Sequence, residues 1–277
     1  MLPAIAASTN GRIVAMASRQ PERAREMLSP YSDARVAESY DTVLADREVD
    51  AVYIPLPNSL HREWTLRALD AGKHVLCEKP LGLDAGEAEE MAAAASRAGL
   101  HLMEAFMYRF HPAMREFVAR VREPLHIETS FGFQLHDRND IRLKRELGGG
   151  ALLDIGCYMV SVSRWILGDP VDVLAKATLE NGVDITTTAL LRFEGGATAS
   201  MWASFESPEE QELKVVTRHE VLRRNRPFSS WRDPHDPYQL MVESFARSVL
   251  NDSPVEISPA ESVANMRVLD RIREANR

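Results

Sequence analysis

Three groups of residues in this sequence have types and spacings suited to proton and hydride chemistry. The first is Glu78-Lys79-Pro80-Leu81-Gly82, entered directly from the apolar run His74-Val75-Leu76-Cys77. Ligands of open α/β sheets bind beyond the carboxyl ends of the strands, so a carboxylate and an ammonium here are aimed at the crevice. A surface turn with a local ion pair fits the same residues. The second group is Gly148-Gly149-Gly150-Ala151-Leu152-Leu153-Asp154-Ile155-Gly156-Cys157-Tyr158. Asp154 and Tyr158 fall one turn apart on one helix face, and the glycines before them admit close approach by another segment or a ligand. A buried, hydrogen-bonded core tyrosine is the plainer alternative. The third is Ser18-Arg19, at a strand end where an acidic residue would bind the ribose hydroxyl of NAD. Serine and arginine there favour the 2′-phosphate of NADP.

Positioning these groups takes two kinds of architecture. Between Gly11 and Glu104 short apolar strands, expected at 13–18, 35–37, 49–54, 74–78 and 100–105, alternate with helices. That is the signature of a parallel sheet covered on both faces. Asn58 or Ser59 can cap a helix ending at Gly72, and Asp84 with Glu87 resembles a capping box for an alanine-rich helix. After a helix over 112–121 the rhythm changes to strands at 126–133, 171–179, 185–193, 197–205 and 213–217, with Gly195-Gly196 forming a hairpin turn. Helices are expected over 152–167, over 238–250 and after Ser258-Pro259-Ala260-Glu261. The expected fold is an α/β Rossmann-type parallel sheet over 1–105, then an α+β domain over 106–277 with a large, mostly antiparallel open sheet.

The start of the sequence reads as a helix tail over 2–8, stopped by Asn10-Gly11 and followed at once by a strand. A doubly wound unit would place its first strand and a glycine turn before that helix. The expectation is therefore a sequence shortened at its N-terminus, for which a start codon assigned too late is the leading explanation. The missing strand is central in the doubly wound order, so such a chain is expected to be less stable and to bind NADP poorly.

The chain has 277 residues, 45% hydrophobic and 27% charged, which suits two compact globular domains. A net charge of -8 argues against bulk binding to nucleic acid or an anionic membrane, and the arginine-rich stretch 218–226 reads as a solvated loop. No apolar run looks long enough to cross a bilayer. Cys77 and Cys157 lack metal-ligand spacing, so neither a metal site nor a disulfide is expected, and a reducing cytoplasm is the natural compartment.

Together the segments ASR (17–19), PLPNSLH (55–61), CEKPLG (77–82), EAFMYRFHP (104–112) and GGGALLDIGCY (148–158) resemble the Gfo/Idh/MocA oxidoreductase family over nearly the whole chain. Tyr158 and EAFMYRFHP look most like its NADP-dependent D-xylose 1-dehydrogenases and dimeric trans-dihydrodiol dehydrogenases. The resemblance implies catalysis by Lys79 with Tyr158, homodimerisation through the C-terminal sheet, and nicotinamide ribose contacts at Pro57 and Asn58. Glu78, Lys79 and Arg109, with Tyr108 beside it, are expected to line the cofactor or substrate side of the cleft.

The expected reaction moves a hydride from a sugar or cyclic diol hydroxyl to NADP, with Tyr158 as base. A nearby Lys79 ammonium is expected to depress the tyrosine's pKa. Asp154 is expected to hydrogen-bond a substrate hydroxyl in preference to orienting Lys79, His61 is structural, and Trp165, Trp202 and Trp231 are more apt for packing than for stacking on a sugar. The rival readings are a non-catalytic remnant that keeps a binding or dimerising surface, and the family's NAD-dependent glycosidase chemistry. The turn Arg218-His219-Glu220 departs from the glycine-containing segment of relatives and is expected at most to distort a hairpin.

Overall fold

The computed structural model describes residues 1–229 and 234–276. Its first part alternates as expected: α1 (Leu2–Ala7), β1 (Ala15–Met16), α2 (Pro21–Leu28), β2 (Arg35–Val36), α3 (Tyr40–Ala45), β3 (Ala51–Ile54), α4 (His61–Asp70), β4 (His74–Cys77), α5 (Ala85–Ala98) and β5 (Leu102–Glu104). Every pairing is parallel, in two sheets, β1-β2 and β3-β4-β5. The central strand β4 buries Val75, Leu76 and Cys77, as a strand covered on both faces must. Asp84 accepts the Glu87 N–H at 2.9 Å and Gly99, at φ +64°, ends α5, so both expected caps form. The cap expected from Asn58 or Ser59 does not: a 3₁₀ turn, Asn58–Leu60, precedes α4 without a side-chain cap.

The open edges of β1 and β3 face one another across a mostly apolar cleft of about 840 Å³, lined among others by Ile13, Ala15, Ala17, Ala51, Tyr53 and Phe245. The carbonyls of Val14 and Met16 accept bonds from the β2 side, and those of Asp50 and Ile54 from the β4 side. By the period of two, the backbone groups of Ala15 and Ala51 point into the cleft.

The second part comprises α6 (Pro112–Arg120), β6 (Pro124–Gln134), a π-turn (Leu152–Gly156) running into α7 (Cys157–Leu167), β7 (Pro170–Glu180), β8 (Val183–Phe193), β9 (Thr198–Ser204), β10 (Glu206–Thr217), β11 (Val221–Asn225), α8 (Pro237–Asn251) and α9 (Pro259–Ala275). Six strands form one sheet in the order β11-β10-β6-β9-β8-β7, antiparallel except for the parallel pair β6-β9. Alternate residues of β8, from Val183 to Phe193, are buried. The helix α9 packs on α5, β5, α7 and β7, and one continuous core runs through both parts.

Two expectations are corrected. The arginine-rich stretch is not a loop but largely β11, an edge strand whose Arg223 pairs with Glu212, while Arg218 and Arg226 pair with Glu123 and Glu209. Its turn is closed by the Thr217 N–H donating to the Glu220 carbonyl at 3.0 Å. The run Arg145–Leu167 is long and apolar enough by composition to cross a bilayer, yet 72% of its most apolar window is buried in protein, as befits a core helix.

Candidate active site

Lys79 leaves the carboxyl end of β4 on a turn held from two sides. His61, fully buried at the start of α4, places Nδ1 and Nε2 each 2.8 Å from the carbonyl oxygens of Pro80 and Leu56, respectively. Glu104, at the end of β5, accepts the Leu81 N–H at 2.9 Å. The Lys79–Pro80 peptide is cis. From this turn Lys79 Nζ donates to Asp154 Oδ1 at 2.9 Å and to the Asp154 carbonyl at 2.7 Å, and lies 5.1 Å from the centroid of the Tyr158 ring. The two halves of the chain therefore meet at Lys79, Asp154 and Tyr158.

Asp154 sits inside the π-turn, whose start is fixed by Asp184: its Oδ2 accepts the Leu152 N–H at 2.7 Å and the Thr187 hydroxyl at 2.8 Å. Arg142, on the 3₁₀ turn Ile141–Leu143, donates through Nε to the other Asp154 oxygen at 2.8 Å and through Nη1 to Asp140 at 3.1 Å. The glycines before the helix do admit a close neighbour, and it is this chain's own loop. The Gly150 N–H donates to the Arg142 carbonyl at 2.9 Å, and a Cβ on Gly149 would lie 2.4 Å from that carbonyl oxygen. The Asn58 amide donates to the Gly148 carbonyl at 2.8 Å, joining the expected ribose loop to the same glycines.

Burial works against both charges of the Lys79–Asp154 pair, but each sustains the other. Asp154 holds Lys79 above the ordinary lysine pKa, while Lys79 and Arg142 hold Asp154 below the ordinary aspartate range. Tyr158 behaves otherwise than expected: burial first, and then the negative charge of Glu78, keep its phenol well above the usual value. The reason is geometric. The ammonium lies against the ring with its donors on Asp154, and the hydroxyl points at Met107 Sδ, 4.0 Å away. Phe106, Phe228, Tyr108 and Phe131 surround the ring with centroids at 5.3 to 6.0 Å. At neutral pH the site thus holds Tyr158 as the neutral phenol and Lys79 as the ammonium.

On the expected cofactor side, the Tyr53 hydroxyl donates to Glu78, whose other oxygen accepts the Lys79 N–H at 3.3 Å. Pro57 opens the turn that carries Asn58. Ser18 Oγ accepts the Gln20 N–H at 3.1 Å, and Arg19 is exposed with no ion pair among the described residues. An uncommitted guanidinium without a neighbouring acid at the end of β1 fits a phosphate monoester. Arg109 does not join this group. It is buried, 8% exposed, pairs with Glu261 and lies 4.6 Å from the ring of Trp165, because the chain after β5 coils into the turn Met107–Phe110 and turns all four side chains into the core. Tyr108 is likewise buried and shares a hydrogen bond with Ser161. Trp165 and Trp202 belong to α7 and β9, and Trp231 lies outside the described residues. No cluster of three or more His, Cys, Asp or Glu among the described residues could hold a metal.

Arg142, Asp184 and Glu104 are additions that the sequence pattern did not single out. The signal for the first two was present in the glycine triplet. Gly150, at φ +127°, has no room for a Cβ beside Asp184, so the triplet marks where a loop and a strand close on the helix start.

Residues 1–106 match the model of an oxidoreductase family with an NAD-binding Rossmann fold, and residues 113–223 match the GFO/IDH/MocA C-terminal domain. The chain is 38% identical to D-xylose 1-dehydrogenase (NADP(+)) 2 of Haloferax volcanii, over 99% of this chain and 92% of that protein. It is 34% identical to trans-1,2-dihydrobenzene-1,2-diol dehydrogenase of Xenopus tropicalis, over 70% of this chain and 60% of that protein. Among solved structures, a 3-ketoreductase variant from Actinomadura kijaniata in complex with TDP-benzene and NADP superposes with a TM-score of 0.92 at 32% identity, covering 99% of this chain and 92% of that one.

Proposed function

We propose a function from one premise: the chain belongs to the GFO/IDH/MocA oxidoreductase family. Within it, the protein is an NADP-dependent dehydrogenase acting on a hydroxyl-bearing carbon of a sugar, with a D-xylose-like aldose as first choice and a cyclic trans-diol as second. The observation that carries this reading is the meeting of Lys79, Asp154 and Tyr158 at the end of β4. Ser18 and Arg19 suit the 2′-phosphate, and Pro57, Asn58, Glu78 and Lys79 suit the nicotinamide end. NADP, when bound, supplies the hydride acceptor or donor. Tyr158 takes the hydroxyl proton during oxidation and returns it during reduction, while Lys79 stabilises the alkoxide that forms on the substrate. Asp154 has a cation on each oxygen, which supports the orienting role over direct contact with substrate.

Residues 1–105 hold the cofactor, and residues 106–277 supply substrate contacts and a homodimer surface. Support for the surface comes from Leu174, Leu179 and Leu190, which expose 64%, 59% and 43% of their area on β7 and β8. Free, buried Cys77 and Cys157 fit a cytoplasmic protein. The test is NADP+ reduction with D-xylose and with a trans-dihydrodiol, in parallel with Tyr158→Phe. Turnover is expected with at least one substrate, and the variant should bind NADP+ unchanged yet lose turnover at least a hundredfold, the scale of a lost general base. No turnover with either substrate, or a fully active variant, overturns the reading.

A further inference from the structure

The geometry points to Arg142 as a positioning residue for this reaction: it holds one oxygen of Asp154 so that Lys79, held on the other, stays a directed cation beneath Tyr158. The inference rests on the dehydrogenase reading. Asp154 faces two cations, Lys79 Nζ at 2.9 Å on Oδ1 and Arg142 Nε at 2.8 Å on Oδ2. Without Arg142 the carboxylate is free to turn and take Lys79 on both oxygens, drawing the ammonium off the Tyr158 ring.

Arg142 is itself placed from both ends. Asp140 accepts from Nη1 at 3.1 Å and from the Arg142 N–H at 2.8 Å, while the Arg142 carbonyl receives the Gly150 N–H. The guanidinium lies 5.9 Å from the Phe133 ring centroid, on the sheet side of the site. Glu78, the other acid beside Lys79, favours the ammonium form of Lys79 as Asp154 does. Arg142 bonds Asp140, Asp154 and Gly150 and neither Ser18 nor Arg19 among the described residues, so affinity at the 2′-phosphate end does not depend on it.

The experiment compares Arg142→Gln, Arg142→Lys and Asp140→Asn with the parent. It reads kcat, KM and the NADP+ dissociation constant, together with the ring ¹³C signal of Tyr158 in tyrosine-labelled apoprotein, assigned by its loss in Tyr158→Phe. Arg142→Gln should lower kcat by about 10- to 100-fold, as a small misplacement of a reacting group does. KM and the NADP+ dissociation constant should stay within about twofold, because neither binding step uses this guanidinium. Arg142→Lys should recover most of kcat, and Asp140→Asn, which loosens the arginine without removing it, should fall between. The Tyr158 signal should move in Arg142→Gln and return in Arg142→Lys while the other five of the six tyrosines stay put. An unmoved Tyr158 signal, or a lysine variant no better than glutamine, overturns the inference. Should the parent reduce no NADP+ with sugar or diol, the dehydrogenase reading fails, and the Tyr158 signal still decides the coupling to Arg142.

Discussion

Tyr158 keeps its proton because the ring is walled in by aromatic side chains and the nearest cation spends its donors on Asp154. That has a kinetic signature. With Tyr158 as the proposed base, oxidation needs the phenolate, whose fraction grows about tenfold per pH unit below the pKa, so log kcat/KM for oxidation should climb with a slope of about one through pH 8 to 10. Reduction needs the protonated form and should stay flat over the same range. A plateau in oxidation below about pH 8 would assign the base to some other group. The residues of this device were legible in unequal measure. Lys79, Asp154 and Tyr158 could be read because a strand end and a helical spacing are local facts. Arg142 could not, since its meeting with Asp154 depends on the path of a loop; nor could the burial of Arg109, which follows a strand end where a ligand-facing side chain is the ordinary expectation.

Among the elements, the turn that carries Lys79 has its own pH sensitivity. Burial pushes the Glu104 carboxyl up to about 7, against the hydrogen bond from the Leu81 N–H that favours its charge. A carboxyl raised in the folded state binds more protons there than when unfolded, so Glu104's own contribution to stability is largest below about pH 4.5 and is lost as pH rises to about 7. Raising the carboxyl from 4.5 to about 7 corresponds to roughly 3 kcal/mol. Glu104→Gln, which keeps the acceptor for Leu81, should therefore remove most of that loss, gaining about 3 kcal/mol over the parent at pH 8 relative to pH 5 in thermal melts. Equal losses in both proteins would show that Glu104 does not titrate in this window. Most strands and the caps of α5 were readable from apolar runs and capping residues, but β10 starts seven residues before the expected strand, at Glu206, and α4 lacks the expected side-chain cap. The π-turn was not, because five residues are too few to separate its period from that of an α-helix, and β11 was hidden by charges that an edge strand tolerates.

At the scale of the whole molecule, Leu174 and Leu190 stand directly opposite one another on the outer face of β7 and β8. If the sheet joins two copies, Leu190→Asp should leave the fold and melting behaviour of the monomer intact while shifting the sedimentation profile to a single-chain species. An unchanged dimer would move the interface elsewhere, and a parent already monomeric would remove it. What no sequence pattern disclosed is that α9 returns to pack on α5 and β5, because long-range packing leaves only an apolar stripe as its trace. The cleft between β1 and β3 bears on this too. Ser18 and Arg19 ride on one hydrogen-bonded leaf and Lys79 on another, with no backbone ladder between the two among the described residues. The distance between Ser18–Arg19 and Lys79 is therefore set by helix and side-chain packing, a softer spring than a sheet. A dinucleotide held at both places, as proposed, would feel whatever firms that seam at both of its ends at once.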